Sequence, residues 1–482
     1  MILFETYSEV SNKSRPSFVG FVLLALAALI LAGCGGGNSR NDGNHVNPQT
    51  AAIQVNVGDD PSDRVAALVV NVSSVTLTNS SGGTVSVLAA PTSVEFMHLM
   101  GSLQSLSLVN VPQDTYTKAT ISISSAVVTY LSPATGQLTQ QTITGPWNVS
   151  VTFSPALTIS SGSMALNLHL DVEHSISLDG KGNITFTPVF TAEVFHGGSG
   201  GNHDHQYGGL DHVTGTVTSV SGNSFALTMM QSSRTVTVYT DSHTEFEHIG
   251  GISALVAGMI VMVDADLQPD GTLLAREVSL SEDDSNGMQA EGLIVSIAGN
   301  PATQLALIAH DGAGSGISHD DMGGTITVNL DPNTVFGIDS SHVDLTGLPF
   351  TPAFSGSNIF KGQSVEVVSN SGMGHDGGDD HDGMHHGTVS GATGVNLEEQ
   401  GLRGVVANYS ANGSQATFTL NVAPDSVFAY LTATTSITVY QQAGTGLWGL
   451  SSVTNGSTVE VHGLLFVNSG TYSLLASRIA KP

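Results

Sequence analysis

The stretch SGMGHDGGDDHDGMHHG, Ser371 to Gly387, holds four histidines, four aspartates and two methionines among six glycines. Neutral imidazole and carboxylate suit zinc, nickel and copper(II), thioether suits copper(I), and aspartates alone suit calcium. The candidate ligands are His375, Asp376, Asp379, Asp380, His381, Asp382, His385 and His386. Two further segments share the composition: HDGAGSGISHDDMGG adds His310, His319, Asp320 and Asp321, and HGGSGGNHDHQYGGLDH adds His203 and His205. Ten of the eighteen histidines fall in these three segments, so they are not evenly scattered. The piece DHDG is part of a calcium-loop grammar, but Gly378 fills the first acidic position. Glycines let the backbone wrap an ion yet supply no rigid cage, and ordering costs ~1–2 kcal/mol per fixed residue. A bound divalent metal (zinc, copper, nickel or calcium) is one expectation. A solvated hairpin tip is the other, and composition leaves both open.

Other candidates are sparser. His169, Asp171 and Glu173 alternate opposite Leu168, Leu170 and Val172, which reads as the solvent face of a strand or as a cation row. Asp264 and Asp266 repeat that pattern, and GDDPSD, Gly58 to Asp63, reads as an acidic turn or a cation site. GGSGG, Gly197 to Gly201, matches G-x-S-x-G formally but lacks a strand-to-helix context. The chain has no H-E-x-x-H, P-loop, dinucleotide fingerprint or C-x-x-C motif. A hydrolase built on two carboxylates stays open, because such a pair is defined in space. Forty acidic residues face twelve basic ones, a formal charge of −28, which repels phosphate backbones and excludes a nucleic-acid partner.

The start of the chain carries an address. Lys13 and Arg15 precede a 15-residue apolar run, Phe18 to Ala32, shorter than the ~20 residues of a membrane-spanning helix. It ends Leu31-Ala32-Gly33-Cys34, with the only cysteine of the 482 residues. This pattern resembles the lipobox of bacterial lipoproteins. The resemblance implies cleavage after residue 33 and lipidation of Cys34. Two or three acyl chains at ~0.8 kcal/mol per buried CH₂ hold stably where one is marginal. Gly35 in place of an aspartate implies the outer membrane, with the periplasmic or surface face open. Residues 34–50 read as a flexible tether.

The elements that must position these groups are strands. Leu68, Val70 and Val72, then Ile121 and Ile123, then Leu166, Leu168 and Leu170 alternate with small or polar residues. A short helix is expected around Phe96 to Leu106. Three blocks, IQVNVGDDPSDRVAALVVNVSSVTL, LVNVPQDTYTKATISISSAVV and LNLHLDVEHSISLDGKGNITFTPVF, span residues 51–195 and resemble the bacterial "domain of unknown function 4382". That implies a β-sandwich-like domain and no assigned activity. After a Gly/His-rich linker at 196–212, a unit occurs three times, at 213–282, 288–398 and 401–482. Each has a Gly-led strand, a hairpin, a Thr-Val strand, G-x-x-V-x-V and a final hairpin. The units resemble "domain of unknown function 5666", which implies small OB-like β-barrels. Aligned, they place Ser371–Gly387 in the final hairpin of the second copy, where the others have short turns.

The expected fold is therefore all-β: a β-sandwich-like domain followed by three small OB-like β-barrel repeats. The expected role is a lipid-anchored cell-envelope protein, binding or structural, that contacts an envelope protein or a polysaccharide. Divalent-metal capture by the His/Asp loops and a loop-built hydrolase are the alternatives.

Overall fold

Apolar alternation becomes strand along nearly the whole chain, because each alternating segment has one face to bury and the glycine, proline and aspartate clusters between them turn the chain back. The computed structural model describes residues 49–481, apart from 61, 89, 100–102, 161–163, 180, 197–208, 230–234, 248, 269–271, 281–286, 318–320, 376–385, 414 and 469. The apolar leader, Cys34 and most of the tether thus lie outside the described residues. No helix among the described residues is long and apolar enough to cross a membrane.

The first domain is a sandwich. In one sheet, Thr50–Asp60 lies between Gln104–Pro112, antiparallel, and Met164–Asp171, parallel, with Phe190–His196 outside the latter. In the other, Val65–Asn79 pairs with Thr115–Leu131, which pairs with Leu138–Thr158. Ile53, Val55 and Val57 from the first sheet meet Leu68, Val70, Ile121 and Ile123 from the second in one core. Burying each such side chain contributes ~1.5–3 kcal/mol. Among the described residues the helix expected at Phe96–Leu106 is absent: the chain makes one turn at Met97–Leu99, capped by the Glu95 carboxylate, and is in the strand Gln104–Pro112 from Gln104 on. The two α-helices among the described residues are short, Val172–Ser175 and Val427–Thr432.

Each of the three repeats closes a five-stranded barrel. In the third, Glu399–Asn412 pairs with Gln415–Asn421, that with Ser436–Trp448, that in parallel with Thr471–Ala480, and Thr458–Asn468 closes the circuit. The first repeat follows the same path through Gly209–Ser221, Ser224–Met229, Thr235–Tyr239, Leu273–Leu280 and Ile260–Leu267. The second does so through Met288–Gly299, Ala302–Gly314, Thr325–Ile338, His386–Leu397 and Ser364–Ser369.

The shared sequence grammar has a physical cause. The glycine of G-x-x-V-x-V sits at positive φ in all three copies, Gly258, Gly362 and Gly456, where a Cβ is strained. Its N–H donates to a first-strand carbonyl, of Val217, Ile294 and Val406 respectively, and that residue's N–H bonds the next residue's carbonyl in return. The leading glycine, Gly215, Gly292 or Gly404, lies where a Cβ would fall within 3.0 Å of a second-strand carbonyl oxygen. A threonine hydroxyl, of Thr244, Thr334 or Thr445, donates to a fifth-strand alanine carbonyl, of Ala275, Ala392 or Ala476.

The domains do not hang as beads. Asp211 of the first barrel pairs with Gln104 of the sandwich, and Leu108 and Ala165 join that barrel's core. Phe350 of the second barrel packs on Tyr440 and Phe466 of the third. Ala66, Ala67, Ile308, Val427 and Leu431 form one cluster drawn from the sandwich and the last two barrels.

Candidate functional site

Where the sandwich meets the second and third barrels, the chain lines a partly open cavity of about 120 Å³. Its apolar wall includes Leu293, Leu402, Val422, Val427, Phe428 and Leu431; its polar wall includes Asp63, Glu291, Glu399, Arg403, His98, His310 and His462. The groups arrive on several elements, with Glu399 and Arg403 on the strand Glu399–Asn412 and Glu291 on Met288–Gly299. Asp63 ends the acidic turn before the strand Val65–Asn79, and its carbonyl accepts the Val427 N–H at 2.8 Å, which fixes the start of the short helix against the sandwich. Ser426 caps that helix through the Ala429 N–H. Arg64 and Asp425 face each other across the same seam at 3.5 Å.

Two Glu–His pairs flank the cavity. Glu95 is 5% exposed and accepts four bonds: from the Leu68, Met97 and His98 N–H groups and from the His98 ring at 3.1 Å. Burial works against its charge, but His310, His98 and the Leu68 N–H outweigh that and hold the carboxyl below its ordinary range. Burial likewise opposes charge on His98, yet Glu95, Asp311 and Glu291 raise its pKa overall. Both directions favour the imidazolium–carboxylate form of this pair. The second pair joins Glu460 and His462 at 2.9 Å on one strand. Burial and Arg478 push the His462 pKa down against the pull of Glu460 and Glu399, so the ring is neutral. Glu460 stays ionised because His462, Arg478 and Arg403 outweigh its burial.

The cavity's remaining charges are unevenly matched. The Arg403 guanidinium is hydrogen-bonded to Glu173 of the sandwich. The His310 ring nitrogen Nε2 lies 2.9 Å from the Ala66 carbonyl. Glu399 accepts from Ser477 at 2.7 Å. Burial raises Asp63 from 3.8 to about 6 despite nearby Arg403, with Glu173, Asp425 and Glu460 adding to the rise.

The expected ligands are only partly brought together. His203, His205, His319, Asp320 and Asp376 to His385 lie outside the described residues. His375 is paired with Gly387, and His386 with Thr325, so the ends of the His/Asp stretch are held in the final-hairpin ladder of the second barrel. His310 is not in a loop: the ladder between Met288–Gly299 and Ala302–Gly314 runs past it, with a bulge beside Asp311, and delivers it to the cavity. Asp321 is buried, and neighbouring Gly323 accepts from Thr129 and Gln140, so this insertion docks on the sandwich. Among the described residues no three His, Cys, Asp or Glu side chains gather as a metal cluster. The row His169, Asp171, Glu173 is broken: His169 is half-buried, Asp171 caps the helical turn, and Glu173 reaches Arg403. Asp266 pairs with Arg276 at 3.0 Å.

Sequence reasoning missed Glu95, His98, Glu291, Glu399, Arg403, Glu460 and His462. The visible signal was two Glu–His pairs, E-F-M-H and E-V-H, inside otherwise apolar strand sequence, where an ionisable residue must find a partner.

An all-β, multidomain protein with OB-like barrels and a charged interdomain cavity is the class these features define. Residues 50–188 match the model of the family described as domain of unknown function DUF4382, and residues 214–279 that of DUF5666. These are the two families that the sequence blocks resemble. No curated protein matches. Among solved structures, a deletion mutant of the single-stranded DNA binding protein from Thermus aquaticus aligns at 14% identity, covering 41% of this chain and 94% of that one, with a TM-score of 0.15. A glycoside hydrolase family 32 structure from Bifidobacterium adolescentis aligns at 10% identity over 88% of this chain and 66% of that one, with a TM-score of 0.12. Neither similarity carries an argument.

Proposed function

We propose that the protein is a lipid-anchored cell-envelope binding protein whose binding element is the junction cavity. The observation that supports this reading is that three units distant in sequence line one cavity with apolar and ionised walls together, the usual make-up of a ligand pocket. Its histidines are each engaged by a carboxylate or carbonyl, which favours holding a ligand over transferring protons. The anchor rests on the Leu-Ala-Gly-Cys34 pattern, and the outer membrane on Gly35. Two measurements test the reading. Wild-type protein should fractionate with membranes and take up label from palmitate, whereas Cys34→Ser should do neither; a labelled Cys34→Ser protein sinks the anchor. Compounds that raise the melting temperature of wild type should have no effect on Leu293→Trp, which fills the cavity. A screen that never separates the two proteins removes the cavity as the binding element.

A second reading is divalent-metal capture by the His/Asp stretch. What favours it is register: the ladder holds both ends of Ser371–Gly387 together, which shortens the loop that an ion must close. Zinc, copper, nickel and calcium should then bind the intact protein and fail with Ser371–Gly387 deleted. Affinity should fall below pH ~6.5 as imidazoles protonate. Equal binding by the two proteins ends this reading.

A further inference from the structure

We infer that the junction cavity takes a small organic cation with an apolar body, such as an alkylamine. The inference rests on the cavity being the binding element and goes on to its ligand class. Three observations carry it: charge balance, wall chemistry and size.

Three carboxylates line the cavity, from Asp63, Glu291 and Glu399. The positive groups there are committed within the protein. Arg403 is bonded to Glu173 and shared electrostatically with Asp63, His98 is bonded to Glu95 with Glu291 and Asp311 behind it, His310 is bonded to the Ala66 carbonyl, and His462, whose proton affinity is lowered, is bonded to Glu460. The Asp63 carboxylate is half-buried in the wall that also holds Val427 and Phe428, makes no hydrogen bond among the described residues, and has Arg403 as its nearby positive charge, which Glu173 already engages. Partial withdrawal from water and the neighbouring carboxylates disfavour the charge on Asp63 more than Arg403 favours it, and a bound cation relieves that.

The opposite wall is apolar, with Leu293, Phe428 and Leu431, so a bare or hydrated ion would leave it unused. The absence of any three grouped metal-ligand side chains among the described residues points the same way. A space of about 120 Å³ holds roughly eight water-sized groups, enough for a short chain or a small ring inside the mouth. The ammonium end belongs beside Asp63 and the hydrocarbon against Phe428, whose ring face also attracts a cation.

The test is calorimetric titration of the purified full-length protein with n-butylammonium, 1-pentanol, butyrate and magnesium, at pH 7.5 and pH 5. Butylammonium should bind saturably, at least tenfold tighter than the alcohol or the anion. It should weaken at pH 5, where Asp63 takes a proton; the charged groups around it are Arg403, Glu173, Asp425 and Glu460. Asp63→Asn, nearly isosteric, should lose tenfold or more, and Glu291→Gln should lose less. Leu293→Trp should abolish binding, with circular dichroism checking that each variant is folded. Equal binding of pentanol or butyrate, preferred binding of magnesium, or undiminished binding by Asp63→Asn overturns the cation and leaves the cavity a binding element. No saturable binding by any probe overturns the cation here. Only a library screen that cannot separate wild type from Leu293→Trp removes the cavity itself.

Discussion

The pairs Glu95–His98 and Glu460–His462 are chemically the same and behave in opposite ways. Both are buried, and both make one imidazole–carboxylate bond, at 3.1 and 2.9 Å. The difference lies in the charges packed behind each ring. Asp311 and Glu291 add to Glu95 around His98, so against its burial the ring is drawn towards the protonated form. Arg478, stacked 4.2 Å from the Trp448 ring, stands behind His462 and keeps that ring neutral. A short sequence pattern therefore names a pair but not its charge state. Neighbours decide that, from the second barrel for His98 and from its own barrel for His462.

The largest effect that can break this comparison is removal of each carboxylate. Glu95→Gln keeps one oxygen for the Leu68 and Met97 N–H groups but turns an NH₂ towards the His98 N–H and ring and removes the charge that the buried imidazole pairs with, at a cost of ~3–5 kcal/mol by urea unfolding. Glu460→Gln leaves a neutral ring, with Arg478 still stacked on Trp448, and should cost ~1.5–3 kcal/mol. Equal costs, or the reverse order, would show that the two pairs carry the same charge.

The pH dependence of the histidine variants sharpens the same point by sign. His98 has a folded pKa above its ordinary 6.5, so its stabilisation is complete below 6.5 and is lost as pH rises through the folded value. The cost of His98→Gln should therefore shrink towards alkaline pH. His462 has a folded pKa below 6.5, so its contribution is complete above 6.5 and is lost as pH falls through the window beneath it. The cost of His462→Gln should shrink towards acid pH. Urea midpoints at pH 5, 7 and 9 read both slopes, since a tenfold change in proton affinity between the folded and unfolded chain is worth ~1.4 kcal/mol. Parallel slopes would remove the distinction.

Asp63 tests whether the seam between the pairs is acid-rich. Its raised value, about 6 against 3.8, means that stability falls as pH rises from about 4 to about 6, because the folded state resists losing the proton. Asp63→Asn should thus stabilise at pH 7.5, by ~1–2 kcal/mol after discounting for partial exposure, and change little at pH 4. Destabilisation at pH 7.5 would mean that Arg403 already neutralises Asp63.

The contrast also separates what was legible in the sequence from what was not. The all-β class, the sandwich and three barrels could be read, because period-two alternation and the G-x-x-V-x-V glycine are local demands of strand pairing and positive φ. The expected helix at Phe96–Leu106 failed because Glu95 caps a single turn and the chain then re-enters a sheet, a tertiary override of a weak local pattern. The cavity was illegible for a different reason. Asp63, Glu291 and Arg403 are far apart in sequence, and only docking of the sandwich on two barrels brings them together. His310 was expected in a loop with other ligands; the strand ladder carries it past the loop to Ala66.

The His/Asp stretch and the cavity histidines make the last contrast, with the smallest expected effect. His98 and His462 are embedded in cores, where removal leaves an unmatched buried group. In sequence, Asp376 to His385 separates His375 from His386 where the sister copies have only a few residues, and the second barrel's circuit closes through Ser364–Ser369 and His386–Leu397 without it. Deleting 376–385 and joining His375 to His386 with a short Asn-Gly turn should leave the urea midpoint within ~0.5 kcal/mol of wild type. A loss comparable to Glu460→Gln would mean that the stretch packs against the body, and its histidines would then belong with the buried set.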